Sequence, residues 1–247
     1  MEIVIAAVLA AGIGALGPSV VRRLPEPVPH PAGEPPADEA GAEADGDDAS
    51  GEQPAEPKIP YAELGSTPRT QILLALLAGG MSATAAAVLP VASMLPVWIV
   101  FCGVGSWLAW VDWRTRLLPY RLTAPLHVLT LVLVAVVALA TGDWWLLWGG
   151  LIANAVVFAG FWLIWFIGTR VGSTFGYGDV RLSAIIGLAL GPLGSTPTLA
   201  GVYAGFLLGA VGGIVFSWLG VVDRKGFAFG PYMVVGAVAG LAAAPLL

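Results

Sequence analysis

Residues 144–168 read WWLLWGGLIANAVVFAGFWLIWFIG, an apolar run with no charged side chain anywhere in it. A helix rises 1.5 Å per residue, so roughly 20 such residues cross the hydrocarbon core of a bilayer. This run exceeds that length. Outward from it the pattern repeats. Eight apolar stretches can be laid out as spans: Ile3–Val21, Thr70–Leu89, Pro96–Val111, Leu122–Ala140, Trp144–Gly168, Val180–Leu190, Thr198–Val221 and Pro231–Leu247. The expected fold is an all-α polytopic transmembrane bundle. The sixth stretch is short. It either continues through Gly191-Pro192-Leu193 as a kinked helix or stops part-way and packs against its neighbours.

Composition agrees. Of 247 residues, 57% are hydrophobic and 11% charged, against about 25% charged in a soluble domain. The 33 glycines suit close helix contact in lipid, where small residues let backbones approach. The single cysteine, Cys102, excludes an internal disulfide and a multi-cysteine zinc site. The lipid bilayer is the expected partner, and no nucleic acid is expected.

The formal charge of −5 is unevenly spread. Ten of the 16 acids lie between Leu24 and Pro57, without one Lys or Arg and without an aromatic residue. Such a stretch buries too little apolar surface to offset its ordering entropy, and reads as a solvated tether. The chain thus divides into a first span (1–21), an acidic Pro/Ala/Gly-rich linker (22–69) and a membrane-embedded domain (70–247).

Basic residues set the topology. All 11 fall in alternate loops: Arg22, Arg23, Lys58 and Arg69; Arg114, Arg116 and Arg121; Arg170 and Arg181; Arg224 and Lys225. The positive-inside rule makes that side cytoplasmic and places both termini outside. Residues 89–95, 141–143 and 191–196, on the other side, carry no basic residue.

Outside the tether the acids are Glu2, Glu63, Asp112, Asp143, Asp179 and Asp223. Asp112 and Asp179 stand apart because each abuts a long apolar helix on the cytoplasmic side. A carboxylate at that depth costs free energy unless paired or wetted, although an ordinary helix-end acid is the plainer reading of either alone. Together they offer specific chemistry. Two carboxyls a few ångströms apart share one proton; the ionised member activates water and the protonated one bonds the scissile carbonyl. His127 reads as a packed residue, since no second ligand clusters with it.

Local contexts sharpen this expectation. Asp179 sits in Gly176-Tyr177-Gly178-Asp179, where bare glycine backbone, free to take positive φ, lets a substrate strand approach. After Asp112, Pro119 breaks the chain, Thr123 is placed to cap the next helix, and Pro125 falls in its first turn.

Three segments resemble the bacterial type IV prepilin peptidases. DWRTRLLPYRLT (112–123) is similar to the family's first aspartate motif, GYGDVRLSAIIGLALG (176–191) to its GxGD motif, and FAFGPYMVVG (227–236) to the stretch opening its last helix. The resemblance covers about Trp107 to Leu241. It implies a GxGD aspartic protease without metal or cofactor, with Asp112 and Asp179 catalytic and Gly176 and Gly178 contacting substrate. It further implies removal of the basic leader from prepilins or type II secretion pseudopilins at the bacterial cell membrane. The PAL motif of presenilin-like enzymes is absent. The paired-cysteine cytoplasmic domain that larger members carry for N-methylation has the acidic linker in its place, so methyltransferase activity is not expected. The rival reading is a proton-coupled transporter or channel using both aspartates as relay sites, but the sequence shows no convincing internal repeat.

Overall fold

The structure, a computed structural model, describes residues 1–24, 61–64, 68–171, 175–218 and 228–243. Most of the acidic linker, residues 25–60, lies outside them, as do Asp223, Arg224 and Lys225. The described residues form helices joined by short turns, with no strand among them, as lipid requires of a backbone that must satisfy its own hydrogen bonds. Six helices are long and apolar enough to cross a membrane. They are α1 (Glu2–Val21), α3 (Pro68–Val88), α4 (Leu95–Thr115), α5 (Tyr120–Thr141), α6 (Trp144–Arg170) and α8 (Ser195–Trp218). A one-turn helix, α2 (Tyr61–Leu64), precedes α3. Two shorter helices, α7 (Tyr177–Leu190) and α9 (Gly230–Ala243), have 14 residues each. Six long helices and two short ones account for the eight apolar stretches.

The short sixth stretch stops rather than kinks. Its helix ends at Leu190, a 3₁₀ turn covers Gly191–Leu193, and Gly194 at φ 112° turns the chain into α8. At 14 residues, α7 is about 21 Å long, too short to face lipid alone. It does not face lipid. From Asp179 to Leu190 every residue but Arg181 is buried by neighbouring helices. Glycines bring α6 against it: a Cβ on Gly187 would lie 2.5 Å from the Ala153 carbonyl oxygen, and one on Gly149 2.7 Å from that of Gly191. Thus α7 runs antiparallel to α6 at backbone contact, the geometry small residues allow in membranes.

On the other flank, α1 and α3 pack through alanine and glycine, with Ser82 Oγ donating to the Ala6 carbonyl at 3.2 Å. Trp107 of α4 closes over Gly17 and donates Nε1–H to the carbonyls of Ile13 at 3.0 Å and Gly14 at 3.2 Å. Trp107→Phe keeps an aromatic ring in α4 but deletes that donor and part of the contact with Gly17. The change is expected to lower stability by about 1 kcal/mol, seen as a lower unfolding midpoint in detergent; an unchanged midpoint would show that the bond does not anchor α1.

One helix cap differs from expectation. Thr123 was the expected cap, but α5 begins at Tyr120 directly after Pro119, whose φ −64° and ψ 128° make it the N-cap. Thr123 lies inside the first turn, and its hydroxyl donates back to the Tyr120 carbonyl at 3.3 Å. The polar residues after the proline form the first helical turn rather than a loop.

Candidate active site

Asp112 and Asp179 are the buried carboxyls among the described residues, 4% and 8% exposed; Glu2, Glu63 and Asp143 are exposed. They arrive from different helices. Asp112 occupies the last turn of α4, which ends at Thr115 with Arg116 in a left-handed conformation, φ 56°. Asp179 is the third residue of α7, whose N-cap is Gly176. The two are near enough for their charges to interact. Both sit at one end of the bundle, where Arg114, Arg116, Arg121, Arg170 and Arg181 also gather.

An acid at the third helical position faces the free N–H groups of the first turn and is favoured there. The Asp179 backbone N–H donates to the Gly176 carbonyl at 3.1 Å, and the Gly176 N–H faces the Asp179 carboxyl in turn. Oδ1 of Asp179 has no hydrogen-bond partner among the described residues. Asp112 has the opposite setting. The C-terminal end of its own helix disfavours negative charge, yet its Oδ2 accepts a 2.8 Å hydrogen bond from the Gly230 N–H, the first residue of α9.

The glycines of the GYGD turn act through space rather than torsion. Gly176 adopts φ −80° and ψ 144°, ordinary extended backbone, and neither it nor Gly178 has positive φ. A Cβ on Gly178 would lie 2.7 Å from the Leu118 Cβ, so this glycine lets α7 meet the turn between α4 and α5. Gly176 remains exposed. Arg181, two residues beyond Asp179, lies over the rings of Tyr120 at 4.9 Å and Tyr177 at 4.8 Å.

Two further features were not singled out in the sequence. Phe175 and Phe229, directly before Gly176 and Gly230, join an aromatic cluster with Phe161 and Phe206. Ring centroids are 5.9 Å apart for Phe175–Phe229 and 5.2 Å for Phe206–Phe229. The cluster ties together the chain leading into both short helices. Deeper in the bundle, Asn154 of α6 donates Nδ2–H to the Ala184 carbonyl of α7 at 2.8 Å and contacts His127 Nε2 at 2.9 Å. His127 thus belongs to a polar joint between α5, α6 and α7. A small, partly open cleft lies beside Phe161, Ser183, Gly205 and Met233, one helical turn beyond Asp179. No group of three His, Cys, Asp or Glu side chains that could hold a metal occurs among the described residues.

The sequence of residues 99–217 matches the type IV leader peptidase family. That segment belongs to the family. The leader peptidase segment contains Asp112 and Asp179, and with them α5, α6, α7 and most of α4 and α8; α1, α3 and Gly230 lie outside it. The coarse description of the chain is therefore a multi-pass membrane protein with a segment similar to the type IV leader peptidase family. No curated protein and no solved structure matches it.

Proposed function

We propose that this protein is a leader peptidase and an aspartic endopeptidase. Its substrates would be type IV prepilins or type II secretion pseudopilins, cut behind their basic leader at the cytoplasmic face of a bacterial cell membrane. One observation carries the reading: the two carboxyls that the described chain buries lie on separate helices, yet interact at one end of the bundle. Burying carboxyls is costly, and a buried interacting pair is what hydrolysis through a shared proton needs. The basic residues around that end support the cytoplasmic side, with both termini outside.

In this reading Asp112 and Asp179 are the catalytic pair. Exposed Gly176 and half-buried Gly178 leave bare backbone beside Asp179, over which the scissile segment of the substrate passes. Neither a metal nor a cofactor has a step in the reaction. N-methylation of the new pilin terminus is not assigned to this chain.

Purified enzyme incubated with a prepilin carrying a basic leader is expected to yield a product shortened by that leader on a denaturing gel. Intact prepilin after prolonged incubation with folded enzyme would sink the proposal. Proton flux in proteoliposomes under the same conditions would then favour the transporter reading.

A further inference from the structure

Both carboxyls lie at the N-terminus of a short helix, and both are buried, but they are not equally served. Asp112 Oδ2 receives a full hydrogen bond, 2.8 Å, from the Gly230 backbone N–H across 118 residues of chain. That N–H is one of the donors a helix start leaves without an internal partner, and the next residue, Pro231, has none to give. The fit is close: a Cβ on Gly230 would lie 2.9 Å from the same oxygen. Asp179 draws on the Gly176 N–H and on the start of its own helix, but its Oδ1 is buried without a partner among the described residues.

A carboxylate is stabilised by each donor directed at it and penalised for each buried oxygen left bare. We propose that Asp112 is the charged member of the pair, held so by the first N–H of α9, and that Asp179 carries the proton. Gly230 is then a positioning residue, acting through Asp112. The charge assignment stands on geometry alone; the roles of base and acid rest on the peptidase reading above.

Under that reading the step balances. Water adds to the scissile carbonyl carbon and gives one proton to Asp112, while Asp179 gives its own to the carbonyl oxygen, forming a neutral diol. The diol then returns a proton to Asp179 as the C–N bond breaks, and Asp112 passes its proton to the leaving amine. The products are a carboxylic acid and an amine, and both aspartates end as they began.

Two measurements test the proposal. The first needs no substrate: infrared difference spectra, wild type minus variant, of the enzyme in bilayers at neutral pH. The carbonyl stretch of a protonated carboxyl is expected to be lost in Asp179→Asn and retained in Asp112→Asn. The reverse pattern, loss in both variants, or no such band in the wild type would overturn the assignment, whatever the enzyme's substrate. The second replaces residue 230 with glycolic acid by nonsense suppression, exchanging the amide N–H for an ester oxygen without adding a side chain. The kcat for prepilin is expected to fall about 10- to 100-fold with KM unchanged, as for a group that acts only through Asp112. An unchanged kcat would remove Gly230 from the mechanism. Absence of cleavage by the wild type would instead count against the peptidase reading and leave the infrared result standing.

Discussion

Asp112→Asn and Asp179→Asn are each expected to lower leader cleavage by about 10³-fold or more, while the protein still inserts and folds. General acid–base groups contribute about 10²–10⁴-fold each, and in the proposed mechanism neither group works without the other. Residues that act as a unit are non-additive, so the double variant should be no slower than the singles. Folding should survive because Asn is nearly isosteric with Asp. At position 112 its side-chain oxygen can still accept from the Gly230 N–H, which lies 2.8 Å from the Asp112 carboxyl. At position 179 the change removes an ionisable group from a buried site where one oxygen has no partner among the described residues. Processing of a co-expressed prepilin, followed by gel shift, reads the activity; membrane fractionation and the unfolding midpoint read the fold. Normal processing by either single variant would end the aspartic mechanism.

The parts of this molecule that were legible in its sequence are those that lipid dictates. A backbone in hydrocarbon must pair its own N–H and C=O groups, so the run at 144–168 could only be a helix, and it is one from Trp144 to Arg170. The two aspartates were legible for a related reason, since acids beside long apolar helices are expensive. Boundaries near the motifs were less legible. Tyr177-Gly178-Asp179 and Tyr120-Arg121 look like loop because they are polar or glycine-rich, yet they are the first turns of α7 and α5. A first turn tolerates such residues because its N–H groups have no intrahelical partners in any case.

What could not be read were the long-range contacts. Nothing in the spacing of residues 112 and 230 announces that one accepts a hydrogen bond from the other; the faint signal was a Gly-Pro pair opening a helix. Asn154 was hidden in the most apolar run of the chain, and its partners, His127 and Ala184, lie on two other helices. Gly178 was read for torsional freedom, whereas its structural use is the space it leaves for Leu118.

The same distinction between space and torsion governs the largest structural effect expected. Gly201 and Gly205 of α8 face Gly236 and Gly240 of α9, a small-xxx-small spacing on both sides of one seam. A Cβ on Gly236 would strike the backbone of Gly205, and one on Gly240 the backbone of Gly201. Backbone cannot rotate aside as a side chain can, so the helices themselves must separate. Gly236→Leu is therefore expected to cost about 3 kcal/mol or more, at or beyond the upper end of ordinary overpacking. It should also slow cleavage at least as much as loss of the Gly230 N–H does, about 10- to 100-fold, because α9 carries the N–H that holds Asp112. Gly160→Leu on α6 is the control: a Cβ there meets nothing within 4 Å, and the unfolding midpoint in detergent should stay where it is. If Gly236→Leu melted with the wild type, the α8–α9 contact would not be what fixes the start of α9. The position of the Asp112 carboxyl would then need another cause.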